Sequence, residues 1–436
     1  MARVTALRAG LTLMAAFLWP AQLPAPASAE MNPDLFTAYT VDPTARAVSG
    51  GSTAGADAPR LEPGTYVDTI SAGERKFYRV ALDDRSNAYV SAVLAPPPGI
   101  KVAAGEGIKV TLKSSDGAKC SVSNAITFGG GTALPSADYS TRRIGAGRKC
   151  QDAGDYYYSV EWLGGPGGSR ADGWPVELKY MAEPGLKPGA PAPAAVPPAD
   201  WHHHLPGHVK GAARRARGGT GFNDAAKVGY GVWNDTLRPG ESRFYRVPVD
   251  WGQQLFVDAD FPAVPAAKSR GATGSVRLSL FNTARGFVDN AANDYRGTAT
   301  RVSLGSVPVA FVNRLSKLDA TSAMRFSGWY YIRLTADRAV REPLPLTLRV
   351  GVEGEPQSGP LYDGDALGAG FGATPEEFAA ARQAGETGAV LMRAVGYAGV
   401  GLGSALLLFL GGWTALARRG GRGRRRRGRH ASPSPL

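Results

Sequence analysis

Histidine, cysteine and methionine are scarce in this chain of 436 residues, which has five, two and six of them. The histidines are His202, His203, His204, His208 and His430, none within the stretches that read as folded. That placement excludes a Ser-His-Asp or Cys-His catalytic group inside either stretch unless the connector folds back onto it. It also excludes a histidine-ligated catalytic zinc there. The tract "WHHHLPGH" has metal-binding residue types, but its Pro-rich surroundings fix no geometry, and it reads as solvated linker.

Acid is short as well, with 37 Asp and Glu against 50 Lys and Arg for a net charge of +13. Such an excess suggests a nucleic-acid partner until its position is considered. Eight arginines fall between Arg418 and Arg429, and Arg3 and Arg8 lie near the start. Subtracting these ten from +13 leaves +3 for everything between. A body so weakly charged argues against nucleic acid.

Both ends read as addresses. Arg3 and Arg8 precede the apolar run Leu11–Leu18, and the small residues Ala27 and Ala29 prepare a cleavage between Ala29 and Glu30. Residues 1–29 therefore read as a signal peptide. Residues 394–417 carry no charge and are long enough for a transmembrane helix. The arginines of residues 418–436 follow at once and predict a cytoplasmic tail. The expected topology is a single-pass type I membrane protein with an extracellular body. The tail is expected to meet anionic lipid headgroups.

Cys120 and Cys150 both lie in the part expected to be exported, where an isolated pair predicts a disulfide.

Glycine and proline are plentiful, at 57 and 32, and the chain repeats itself. Residues 51–83 align without a gap on residues 218–250, with fourteen identities. The shared line runs from Asp68 through Glu74, Phe77, Tyr78 and Arg79, matched by Asp235, Glu241, Phe244, Tyr245 and Arg246. A period of 167 residues is too long for a solenoid, so each copy is expected to be a domain. Alternating apolar residues and frequent turns predict about eight short strands per copy. The expected fold class is all-β, two tandem antiparallel β-sandwich domains of jelly-roll type plus one C-terminal transmembrane helix.

"GTYVDTI" and "RKFYRVAL" read as an antiparallel hairpin, with Tyr78, Val80 and Leu82 facing the core, as should Tyr245, Val247 and Val249. Asp68 and Asp235 are expected to satisfy turn amides, and Glu74 and Glu241 to pair with Arg79 and Arg246. The tryptophans Trp162, Trp174, Trp233, Trp251 and Trp329 read as core or sheet packing rather than a sugar platform.

The expected domains are residues 50–184 and 218–353. A Pro/Ala-rich linker, residues 185–217, is expected to hold them apart. Residues 354–393 read as a juxtamembrane stalk with a short helix, which Thr374 and Glu377 start with a capping box.

Repetition of the acids in both copies favours a structural role over a catalytic carboxylate pair, although residue type alone leaves a wall-glycan hydrolase open. The acidic stretches "FVDNAANDY" and "LYDGDALG" read as turns, not calcium loops. No catalytic residue, metal or cofactor is expected.

The paired hairpin lines, with the later "GDYYYSV" and "GWYYIRL", resemble the bacterial pre-peptidase C-terminal domain, a family of non-catalytic β-sandwich modules on secreted proteins. The ectodomain is also similar to the membrane-proximal half of exported Gram-positive proteins that carry a von Willebrand A domain. This chain lacks the Asp-x-Ser-x-Ser motif of metal-dependent adhesion. The resemblance implies a cell-surface binding or scaffold protein, with an exported protein or a cell-wall polysaccharide as partner.

Overall fold

The computed structural model describes residues 38–384, apart from 123–124, 129–130, 165–172, 192–208, 210, 265–272 and 341, together with 406–411 and 413. The cleavage pair Ala29 and Glu30, the histidine tract, the basic tail and most of residues 394–417 lie outside the described residues. Among the described residues, no helix is long and apolar enough to cross a membrane.

The body is all-β. The first sandwich contains β1 (Arg46–Ala47), β2 (Arg60–Leu61), β3 (Gly64–Ile70), β4 (Arg75–Leu82), β5 (Asn87–Leu94), β6 (Lys101–Val102), β7 (Gly107–Ser114), β8 (Ile126–Thr127), β9 (Gly131–Thr132), β10 (Ser136–Arg142), β11 (Gly154–Leu163) and β12 (Trp174–Glu183). The second contains β13 (Arg214–Arg215), β14 (Ala226–Lys227), β15 (Gly231–Leu237), β16 (Ser242–Val249), β17 (Gln254–Phe261), β18 (Thr273–Phe281), β19 (Phe287–Arg296), β20 (Thr300–Gly305), β21 (Gly328–Ala336) and β22 (Leu344–Glu353).

Each sandwich has two five-stranded sheets in matching order. In the first these are β1-β3-β12-β5-β10 and β2-β4-β11-β7-β8; in the second, β13-β15-β22-β17-β20 and β14-β16-β21-β18-β19. The ladders are antiparallel except at the edges, where β1, β2, β13 and β14 pair in parallel with the next strand.

The expected hairpin is not formed. β3 pairs with β12, whereas β4 pairs with β11, so the turn between them carries the chain from one sheet to the other. β15 and β16 repeat this arch by pairing with β22 and β21. Alternation specifies which side of a strand faces the core but not which strand lies beside it, so a short turn fits a hairpin or an arch equally.

Inside each sandwich the alternation does hold. Tyr78, Val80 and Leu82 are buried in the first core, and Tyr245, Val247 and Val249 in the second. Trp162 and Trp174 are also buried, with ring centroids 4.2 Å apart. Trp233, Trp251 and Trp329 are half-buried, and Trp329 lies beneath Arg246 at 4.9 Å. "FVDNAANDY" is not a turn; it forms most of β19.

Cys120 and Cys150 form the expected disulfide, with Cα atoms 5.3 Å apart. It ties the segment after β7 to the loop that follows β10.

The two sandwiches are not held apart. The outer face of the β12-β5-β10 side packs on the outer face of the β16-β21-β18 sheet, burying Val93 and Ala137 of the first with Phe244, Phe281 and Tyr331 of the second. β5 is consequently buried on both faces along its whole length. Two flanking segments reinforce the junction. Tyr39 and Phe222 insert into the apolar cluster, and Phe371 joins a second cluster with Tyr89, Met181, Ala284 and Phe326.

Residues 355–384 also lie back on the body. Asp363 pairs with Arg85 at 2.8 Å, and the Gln357 amide donates to the Trp251 carbonyl at 2.9 Å. Helix α1 (Asp319–Ala323) lies in the second sandwich. Residues 375–384 form helix α2, which docks through a bond from the Tyr230 amide to the Ala381 carbonyl at 2.9 Å. Its start has the expected capping box: the Glu377 amide donates to Thr374 Oγ1 at 3.2 Å, and the Thr374 amide to Glu377 Oε2 at 3.1 Å.

Candidate functional site

The duplicated acids and aromatics come together where each sandwich arches between its sheets. Tyr78 Oη, from β4, donates to Asp68 Oδ2, from β3, at 2.8 Å. Lys76 Nζ lies 2.8 Å from Asp68 Oδ1, and the Gly50 amide donates to Oδ2 at 2.7 Å. The second copy repeats the core of this group: Tyr245 Oη donates to Asp235 Oδ2 at 2.6 Å, and the Gly218 amide donates to the same oxygen at 2.8 Å. The aspartates thus cross-link the two sheets rather than capping the turn. Burial, followed by the neighbouring carboxylate, pushes both phenols above their ordinary range, so they remain donors.

Glycine is required beside the ring. A Cβ on Gly50 would stand 2.8 Å from Tyr78 Cζ, and one on Gly218 equally close to Tyr245 Cζ. This equivalence shifts the alignment by one residue at its start, because Gly51 bridges to Phe77 as Gly219 does to Phe244.

The turn amides fall instead to the glutamates. The Ser71 amide donates to Glu74 Oε2 at 2.7 Å, and the Arg238 amide to Glu241 Oε2 at 3.1 Å. Arg79 lies 3.6 Å from Asp155, while Arg246 stacks on Trp329 and Glu241 pairs with Arg243 at 2.9 Å. The expected glutamate–arginine pairs therefore do not form: successive strand residues point to opposite faces, and Glu74 and Glu241 are occupied in the turns.

Phe77 and Phe244 occupy equivalent positions with different surroundings. Phe77 is half-buried, while Phe244 lies in the junction against Phe222, with ring centroids 5.1 Å apart. Sequence reasoning missed this junction. A signal was nevertheless present: Phe281, opposite Tyr331, replaces Lys113, which is opposite Tyr157 in the first copy. An apolar residue in one copy where the other has a cation marks a face covered in only one of them.

The polar centre of the junction is Glu177 of β12 and Arg285 of the β18–β19 turn, both almost fully buried and directly paired. Arg285 Nη2 donates to Asn223 Oδ1 at 2.7 Å, and Asn223 Nδ2 returns a bond to Glu177 Oε2 at 2.8 Å. Tyr39 Oη and the Asp42 amide also donate to Glu177, at 3.2 and 2.7 Å. Removing either partner, or shifting one face along the other, would leave a buried charge unpaired, which makes this network a determinant of how the sandwiches fit. Arg285 itself has φ of 62°, a left-handed conformation for a residue with a side chain.

A second buried carboxylate, Glu183, accepts from Asn87 Nδ2 at 2.8 Å and from the Tyr89 and Tyr362 hydroxyls at 2.6 Å each. A third, Asp138 of β10, accepts from the Val110 amide at 2.6 Å and from its neighbour Tyr139 at 2.8 Å. Burial raises Asp138 to about 7 against the opposing effect of those amides and Lys109.

These carboxylates sit on donors rather than facing one another across an open cleft. Among the described residues, no group of three or more His, Cys, Asp or Glu is arranged to hold a metal ion. A cleft walled by Tyr39, Pro98, Pro135, Thr220 and Glu241 has a volume of about 30 Å³, too small for a sugar ring.

No protein-family model and no curated protein matches the chain. Solved structures that align in part include the g-type lysozyme inhibitor PliG of Aeromonas hydrophila, at 13% identity over 33% of this chain and 100% of that one, with a TM-score of 0.18. The tandem CBM22 modules of Paenibacillus barcinonensis Xyn10C align at 9% identity over 67% of this chain and 92% of theirs, TM-score 0.18. The tandem CBM51 modules of Streptococcus pneumoniae Sp3GH98 align at 7% identity over 66% and 83%, also at 0.18. Likeness at this level carries no argument about ligand or reaction.

Proposed function

We propose that the protein is a non-enzymatic, membrane-anchored binding or scaffold protein of the cell surface, presenting two joined β-sandwich modules of pre-peptidase C-terminal type to an exported protein or wall polymer. The observation that supports this reading is the use made of the repeated acids. Asp68 and Asp235 join sheets, and Glu74 and Glu241 close turns. Duplicated acids occupied in this way hold the frame in shape. The joined sandwiches share a buried apolar face, and among the described residues these acids bond to donors and do not face one another across a cleft.

Crosslinking on intact cells, followed by mass spectrometry of what attaches to the body, tests the reading. One dominant exported protein, or wall polymer, is the expected capture. Wall-glycan cleavage by the purified full chain, lost on replacing a single carboxylate, would overturn it.

A further inference from the structure

Around Glu183 the junction is rich in arginine. Arg325 is 2% exposed; its Nη2 donates to Tyr139 Oη at 3.2 Å and its guanidinium lies 5.4 Å from the Tyr89 ring centroid. Its Nε and Nη1 are buried with no hydrogen-bond partner. Arg314 stacks on Phe311 at 3.6 Å and donates through Nη1 to that residue's carbonyl at 3.1 Å, leaving a buried Nε unpartnered. From the first sandwich, Arg143 donates to the Arg314 carbonyl at 3.0 Å and Arg148 to the Leu315 carbonyl at 2.6 Å.

Each of the four directs its bonds to a neutral oxygen. The field of Glu183 reaches Arg314 and Arg325, but its oxygens already accept from Asn87, Tyr89 and Tyr362. Burial, then the charges of Arg325 and Arg148, pushes Arg143 down to about 10, so the guanidinium groups sense one another. Against its burial, Tyr139, Tyr89 and Glu183 favour the charge of Arg325, yet its Nε and Nη1, with the Nε of Arg314, keep no acceptor. Buried donors beside concentrated positive charge call for an acceptor that is negative.

We propose that this cluster is a binding site for a tetrahedral oxyanion, a phosphate or sulfate group held by Arg325 from within the junction and by Arg143, Arg148 and Arg314 at its rim. Forked guanidinium donors match the several oxygens of such a group, which chloride cannot offer. Because the arginines come from both sandwiches, the anion locks their relative placement. The site is independent of which surface partner the protein has.

Titration calorimetry of the purified full chain with inorganic phosphate tests the proposal, alongside thermal unfolding in phosphate, sulfate and chloride at equal ionic strength. Saturable binding and a midpoint raised by several degrees in phosphate or sulfate are expected. R143Q, at the half-buried rim, should weaken phosphate binding at least tenfold and narrow the gap between the phosphate and chloride midpoints. R325M should abolish binding; if it does not fold, R143Q and R148Q carry the test. Glycerol 3-phosphate separates two sources of the same chemistry: equal affinity assigns the site to a phosphate group on a larger ligand, and binding of inorganic phosphate alone to the free ion. Identical midpoints in all three salts, or phosphate binding unchanged by R143Q and R148Q, would leave the orphaned nitrogens to water and overturn the proposal.

Discussion

Asp138 shows how one side chain closes an exposed edge. β7 pairs with β11 along its length but with β8 over only two residues, so amides on its free side need acceptors. The Val110 amide finds the Asp138 carboxyl at 2.6 Å and the Leu112 amide finds Ser140 Oγ at 3.0 Å, both from β10. Burial dominates these bonds and raises Asp138 to about 7 from 3.8. The folded protein therefore keeps a proton that the unfolded chain releases across that interval. Stability should fall as pH rises from about 4 to about 7 and then level off. Asp260 acts in the opposite sense at lower pH: burial raises it, but bonds from Arg301 and Arg349 outweigh burial and hold it below its ordinary value. Urea midpoints at several pH values between 4.5 and 7.5 should show the decline in the parent and its absence in D138N. Equal slopes in the two would remove Asp138 as the cause.

At the scale of the strands, the arch is the unit that the sequence writes twice. Tyr78 and Tyr245 stand at the same point in it, each donating to an aspartate on the opposite sheet. A hydrogen bond to a charged acceptor contributes about 1.5–3 kcal/mol. Y78F and Y245F should each lose about that much in chemical denaturation, and the two losses should be similar; no loss in either would mean that the aspartate is satisfied without the phenol.

The inward residues of these strands, the disulfide and the capping box were all legible in the sequence because each is encoded by spacing or by residue type at a fixed offset. The sheet to which a strand belongs was not, since a four-residue turn suits both a hairpin and an arch. Glu177 and Arg285 were likewise invisible: 108 positions apart, one in a strand and one in a turn, they resemble ordinary surface charges until the sandwiches meet. The substitution of Phe281 for Lys113 was the one readable trace of that meeting.

At the scale of the whole molecule, the two modules behave as one object. The shared face buries apolar side chains from both, and Tyr39, Phe222 and Phe371 fill its margins from three separate stretches of chain. The shared face attaches the modules independently of the connector, whose described ends join the body themselves: Arg214–Arg215 form β13, and the Lys187 amide donates to the Leu361 carbonyl at 2.9 Å. The body is then a pair of complementing halves: a protease that severs the chain between residues 192 and 208 should leave both fragments migrating together in native size exclusion, parting only in denaturant, whereas their separation in plain buffer would show the shared face to be too weak to act alone. Assembly of the pair is accordingly guided by the faces that meet and not by the tether.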